Sequence, residues 1–228
     1  MFKIDSHIRV ISIEGNIGVG KSTFLDNLES YYKIKGVKGV MILKEPLEHW
    51  MMEDSNNKDS ILTKYYKDPV KYCFSFQAKV LDSLIELLLK SISENPDCNV
   101  FICERSLSSS LNVFSKLHLK TQNLTMHNYK ILERMYDEIL KITGYTLNSV
   151  IYLDCPVGTC YARIHKRNRA CESEIDLCYL KKCEVSYKEW LNNVPHISVN
   201  VHDICVDKIA EYIDGTKSQD GQDGIKRL

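Results

Sequence analysis

Short apolar runs alternate with longer stretches of helical period along most of this chain. The runs are Arg9–Ile13, Val40–Leu43, Val100–Cys103, Ser149–Asp154 and His196–Val201. Each is too short for a helix, is mostly β-branched or aromatic, and predicts a buried strand. Between them the period changes. Phe24, Leu25 and Leu28 open a helix from Ser22, and Ile61 to Tyr66 predicts a short one. Pro69 starts a long helix through about Ser93, with Phe76, Val80, Leu81, Leu84, Leu87 and Leu88 at helical spacing. Further helices are predicted at Leu107–Leu119, Met126–Ile142, the segment running into Arg163–Arg169, Asp176–Asn192 and Val206–Ile213. Pro156 suits the first turn of the helix that follows it. Strands separated by helices imply crossover connections, hence an α/β fold with a parallel sheet of five strands flanked by helices. In such sheets functional residues gather at the C-terminal strand ends.

Some segments break the pattern. Ser55 to Ser60 is polar and reads as loop. From Gly215 onward Gly, Ser, Gln, Asp and Lys predict a flexible tail (215–228), which leaves residues 1–214 as a single domain. Ile131, Met135, Ile139 and Ile142 form an apolar stripe suited to core or to a subunit interface. Gln77 stands alone on an apolar helix face, and from its surroundings the core and ligand-contact readings are equal.

Composition narrows the function classes. Thirty basic and thirty acidic residues give a formal net charge of +0, so no global field favours nucleic acid or an anionic membrane. No apolar run approaches the ~20 residues of a membrane span. Met1 to His7 has no apolar core, so nothing resembles a signal peptide, and a cytoplasmic location is expected. The nine cysteines are dispersed and odd in number; Cys171, Cys178 and Cys183 are poorly spaced for zinc and read as reduced thiols.

The strongest chemical signal is Gly15-Asn16-Ile17-Gly18-Val19-Gly20-Lys21-Ser22, followed by Thr23. It fits G-x-x-x-x-G-K-[ST] and lies between a predicted strand and a predicted helix, the context that this motif requires. Its glycines let backbone N–H groups wrap a polyphosphate at a helix N-terminus. Lys21 adds charge near the outer phosphates, and the Ser22 hydroxyl can ligate Mg²⁺. A nucleoside triphosphate is therefore expected as ligand, with Lys21 exposed in its absence. Arg163, Arg167 and Arg169 could form a solvated basic face, but a transferring phosphoryl group needs such cations. An Asn-Lys-x-Asp guanine reader is absent, which argues against a GTPase-like switch.

In order along the chain, Glu14 to Thr23, Glu45-Pro-Leu-Glu-His-Trp50, Tyr66 ahead of Phe74-Ser-Phe-Gln77, Glu104-Arg-Ser106 and the arginine-rich lid ending in Glu172 resemble the deoxyribonucleoside kinase family. The resemblance implies a P-loop kinase fold, usually homodimeric, transferring phosphate from ATP with Mg²⁺ to the 5′-hydroxyl of a deoxynucleoside. It further implies Glu45 as the base and Arg105 beside the same oxygen, with Tyr66 and Glu172 on the 3′-hydroxyl. Gln77 would read the base edge within walls of Ile17, Trp50, Leu62, Phe76 and Phe114. Glu104 would act on Mg²⁺, although some descriptions make it the proton acceptor. Arg163, Arg167 and Arg169 would clamp the donor phosphates, and the turn Asp203, Ile204, Cys205 would line the adenine. Two departures bear on specificity: Leu84 and Ser110 stand where purine- and cytosine-preferring members carry arginine and aspartate. In the lid, Cys171 replaces the first of two adjacent glutamates. A thymidylate-type nucleoside monophosphate kinase is the nearest enzymatic alternative, and a non-catalytic structural subunit the alternative of another class. Against the first, Leu62 to Leu88 holds no arginine for an acceptor phosphate.

Overall fold

The five predicted strands all form, and they pair in parallel. The computed structural model describes residues 3–54, 57–215 and 226–227. Its first half runs β1 (Arg9–Glu14), α1 (Lys21–Lys35), β2 (Val40–Leu43), α2 (Leu47–Met51), β3 (Glu53–Asp54), β4 (Asn57–Ser60), α3 (Ile61–Lys67) and α4 (Pro69–Glu94). Next come β5 (Val100–Glu104), α5 (Leu107–Ser109), a π-helical stretch (Ser110–Ser115), α6 (Lys116–Lys120), α7 (Met126–Thr143) and β6 (Ser149–Asp154). The chain closes with α8 (Val157–Arg167), a 3₁₀ turn (Ala170–Glu172), α9 (Leu177–Leu191), β7 (His196–Asn200), α10 (Val206–Gly215) and β8 (Lys226–Arg227).

The main sheet has the order β2-β5-β1-β6-β7-β8, with every pairing parallel. Alternate residues of each strand face opposite layers, as the pleat requires. Ile11, Ile13, Val100, Ile102, Ile151 and Leu153 enter one core, beneath α1, α8 and α10. Val10 and Phe101 enter the other, with α3, α4 and α7. Val150 and Tyr152 pack with Tyr187 and Trp190 of α9. Because β1 lies between β5 and β6, the connections leaving these strands diverge at its C-terminal end, and a crevice opens there.

Several expectations are corrected. Of the stretch expected as loop, Asn57–Ser60 form β4, which pairs antiparallel with β3 and is too short and too polar to announce a strand; Ser55 and Asn56 lie outside the described residues. The helix expected over Leu107–Leu119 is interrupted: Ser115 Oγ donates to Ser110 O at 2.9 Å inside the π-helical stretch. Such bulges gather at functional sites. Pro156 is the N-cap of α8 rather than a first-turn residue. Gly215 closes α10, and Lys226–Arg227 pair with Ile197 and Ser198 as a short sixth strand. Most of the stretch expected as a tail, 216–225 and 228, lies outside the described residues. The stripe on α7 divides: Met135 and Ile139 pack inward, while Ile131 and Ile142 are exposed.

Candidate active site

The loop after β1 owes its path to glycine. At Gly18 (φ 80°) a Cβ would stand 2.5 Å from Cys160 O and 2.9 Å from Ile164 Cγ1, both on α8. The glycine beyond the minimal motif thus lets the loop touch the helix that carries the arginines. Gly20 (φ 108°) is the N-cap of α1, and no side chain caps that helix. The first-turn N–H groups of α1 are therefore left to an anionic ligand.

A cavity of about 380 Å³ runs from this loop to the face of α4. Gly18, Gly20, Lys21, Ser22 and Thr23 line it at the loop, and Arg163, Arg167 and Arg169 are on the lining too, Arg163 beside the loop itself. Trp50, Leu62, Tyr66, Phe76, Gln77, Leu84, Ser110 and Phe114 line it toward α4, and Ile17 and Glu172 are on the lining as well. Glu45, Glu104 and Arg105 lie on the lining as well. The sequence-predicted residues are thus brought together with few exceptions. Gly15 and Asn16 contribute carbonyls that accept from Lys21 Nζ at 3.4 and 3.3 Å, and Val19 O accepts from Arg163 at 2.6 Å. Asp203, Ile204 and Cys205 are not on the lining: Asp203 N closes a turn onto Asn200 O, Ile204 packs against the core, and Cys205 O starts α10.

The charged groups between the two ends are nearly all buried. Arg105, with positive φ (65°), directs its Nε to Glu45 Oε1 at 2.7 Å and lies over the Phe114 ring at 4.4 Å. Its Nη1 donates to the Tyr187 hydroxyl, which donates to Glu14 at 3.0 Å. Burial raises the Glu45 pKa; Arg105 opposes the shift and Glu104 adds to it. Glu14 is raised by burial too, again against Arg105. Lys21, expected to be exposed, is 6% exposed, and burial with help from Arg105 lowers its pKa to about 8. The correction has a simple cause, since the ammonium folds back onto carbonyls of its own loop. Glu104 accepts from the Ser22 hydroxyl at 2.9 and 3.2 Å, so a carboxylate and a hydroxyl converge at the phosphate end. Two hard oxygen donors suit Mg²⁺, whose remaining ligands are ordinarily waters and phosphate oxygens.

In the lid, Glu172 takes Arg167 bidentately, at 2.7 Å from Nε and 2.6 Å from Nη2, while Arg169 stands at 3.6 Å. The carboxylate assigned to the sugar is therefore held by an arginine assigned to the donor. Gln77 accepts at Oε1 from Ser110 at 3.3 Å, and Ser115 Oγ, whose proton goes to Ser110 O, stands 3.4 Å from the same oxygen.

Sequence reasoning missed Tyr65, Tyr179, Leu47, Val80 and Ser106, all on the lining. Tyr65 stacks on Phe76 at 4.5 Å and hydrogen-bonds to Tyr179 at 2.9 Å and to His118 Nε2 at 2.5 Å. Burial lowers the His118 pKa to about 4. The i, i+3 spacing of Leu62 and Tyr65 could have flagged Tyr65 as facing the same way. Nothing in the sequence pointed to Glu14 or Tyr187 as partners of Arg105, because three distant segments meet there.

Residues 11–217 match the deoxynucleoside kinase family. A thymidine kinase of Ictalurid herpesvirus 1 is 29% identical over 188 residues, 82% of this chain and 76% of the relative. Human deoxycytidine kinase is 26% identical over 241 residues, covering 93% of this chain and 91% of the relative. Mitochondrial deoxyguanosine kinase of Xenopus laevis is 25% identical over 226 residues, 87% of this chain and 83% of the relative.

Proposed function

We propose that this chain, which belongs to the deoxynucleoside kinase family, prefers pyrimidine deoxynucleosides, accepting thymidine and deoxycytidine ahead of purines. Its activity is ATP-dependent transfer of a phosphoryl group to a deoxynucleoside. One observation carries the site assignment: the Glu45–Arg105 pair lies on a cavity with a phosphate loop and lid arginines at one end and aromatic walls at the other.

Phosphoryl transfer asks the protein for in-line positioning and charge neutralisation more than for covalent chemistry. Lys21 and Arg163 supply fixed positive charge at the donor end. Ser22 and Glu104 would hold Mg²⁺, which supplies charge neutralisation on the phosphates when bound. Glu45 is already held by Arg105, and burial raises its proton affinity, which suits a base that accepts the 5′-hydroxyl proton as the new P–O bond forms. The four arginines on the lining are Arg105, Arg163, Arg167 and Arg169. Glu45 engages Arg105, and Glu172 engages Arg167 and stands by Arg169, so among the described residues no lining guanidinium near the acceptor is free for an acceptor phosphate, which disfavours a monophosphate kinase.

The base preference rests on Gln77, Leu84 and Ser110. Ser110 orients the Gln77 amide through one lone pair of its oxygen, so the other lone pair and the amide N–H groups can still meet a pyrimidine edge. Leu84 is apolar and Ser110 uncharged, so no charge-assisted bond demands an exocyclic amine, and the thymine methyl is tolerated. Relatives named for thymidine, deoxycytidine and deoxyguanosine resemble this chain about equally and do not decide the matter. Labelled ATP with all four deoxynucleosides at equal concentration, run beside their monophosphates, is the test. Thymidine and deoxycytidine are expected to take most of the label. Preferential labelling of deoxyguanosine or deoxyadenosine would make pocket size, not the missing ion pair, the determinant.

A second expectation concerns the sugar. Tyr66 and Glu172, both on the lining, are assigned to the 3′-hydroxyl. A 2′,3′-dideoxynucleoside gives the Tyr66 hydroxyl no partner and leaves Glu172 on Arg167, at a cost of ~1–3 kcal/mol, so kcat/KM should fall roughly 10- to 100-fold. Equal kcat/KM for the deoxy and dideoxy forms would remove this pairing.

Homodimerisation and a cytoplasmic location complete the reading. The exposed Ile131 and Ile142 on α7 suit a subunit contact, and the nine free cysteines suit a reducing compartment. Among the described residues no helix is long and apolar enough to cross a membrane.

A further inference from the structure

We infer that Tyr187 of α9 is a positioning residue for the transfer step, holding the Arg105 guanidinium so that its Nε edge faces Glu45. The inference rests on the reading of Glu45 and Arg105 as the groups that meet the 5′-hydroxyl.

Tyr187 is fully buried and is not on the cavity lining, so it touches neither substrate. Its hydroxyl has one proton. A guanidinium can only donate, so the Tyr187 oxygen accepts from Arg105 Nη1 and its proton goes to Glu14 Oε2 at 3.0 Å. Both functions of the hydroxyl are engaged, which fixes its direction. Glu14 is anchored in turn, with Oε1 accepting from Ser106 Oγ at 2.8 Å. On the remaining side the guanidinium lies over Phe114, whose ring meets Tyr187 edge-on at 6.0 Å. Arg105 thus has Nη1 on Tyr187, its face on Phe114 and Nε on Glu45.

The hydroxyl also acts as a spacer. Glu14 and Glu45 are two buried carboxylates competing for one arginine. With the hydroxyl in place, Arg105 reaches Glu14 only through Tyr187 and gives its direct ion pair to Glu45. Without it, the guanidinium has an unpartnered donor beside an anion that has lost its own donor. The expected response is rotation toward Glu14 and away from Glu45.

Steady-state kinetics of Tyr187→Phe, with ATP and the acceptor that the wild type uses best, test this. The kcat is expected to fall about tenfold while both KM values stay within about twofold, since only orientation during transfer is lost. Arg105→Lys cannot make the same set of contacts, so adding Tyr187→Phe to it should cost no further kcat. A purely structural role for Tyr187 predicts independent, multiplicative losses, and that result overturns the inference. So does a folded Tyr187→Phe with wild-type kcat, or one whose KM rises while kcat holds. If Tyr187→Phe shows no cooperative thermal transition, Glu14→Gln probes the other end of the chain. It should lower kcat alone, and an unchanged kcat there overturns the inference. A wild type that phosphorylates none of the four deoxynucleosides overturns both this inference and the functional reading. An active wild type with a normal Tyr187→Phe overturns this inference alone.

Discussion

Lys21→Ala lowers turnover by at least ~10³, the largest loss expected of any single change in this chain. The phosphate loop presents backbone N–H groups at the uncapped start of α1, and Lys21 is its one charged side chain. Without it the outer phosphates lose the cation closest to the loop. Alanine also does more than the sequence suggests. Lys21 is buried in the field of Glu45, Glu104 and Glu14, and it shares that cluster with a single other cation, Arg105. Removing it leaves the carboxylates less compensated, so the thermal midpoint should fall along with turnover. Single-turnover transfer from labelled ATP, with a melting curve on the same sample, separates the two effects. Near-normal transfer by a folded variant would remove the phosphate-loop assignment.

Glu45→Gln is expected to cost ~10²–10⁴ in kcat with little change in acceptor KM. The amide keeps the size and an acceptor for Arg105 Nε, so the pocket is retained, but it cannot take the 5′-hydroxyl proton. The same change in Glu104 should act differently, because Glu104 receives the Ser22 hydroxyl and would face the metal. Its variant should show a raised Mg²⁺ requirement. A larger loss in Glu104→Gln with unaltered Mg²⁺ dependence would exchange the two roles.

The sequence revealed the sheet because buried parallel strands need continuous apolar runs, and these stand out from helical period. It placed the phosphate loop between a strand and a helix, because a loop that wraps phosphates has few alternatives to glycine, lysine and serine in that spacing. It did not reveal β8, the β3–β4 pairing or the π-helical stretch. A two-residue strand has no period, and a bulge changes a helix by one hydrogen-bond step without changing its composition. The burial of Lys21 was equally hidden, since the Gly15 and Asn16 carbonyls that receive it are backbone atoms with no residue signature. The Arg105 cage was hidden for another reason. Glu14, Arg105 and Tyr187 lie far apart in the chain, and only the packing of α9 against β1 and β6 brings a tyrosine between them.

Arg167 has one guanidinium and two claims upon it. In the structure Glu172 holds it with both oxygens. On the proposed assignment, an incoming triphosphate would compete for the same donors and, to the extent that it wins, would release a carboxylate on the nucleoside's side. The sugar, if Glu172 pairs with it as proposed, would do the converse by drawing Glu172 away. Occupancy of one site therefore changes the free energy of filling the other, and such linkage is symmetric: the factor by which ATP alters the nucleoside dissociation constant equals the factor by which the nucleoside alters that of ATP. A two-ligand titration with a non-hydrolysable ATP analogue closes that thermodynamic square, and in Arg167→Ala the share of the factor that this exchange contributes disappears.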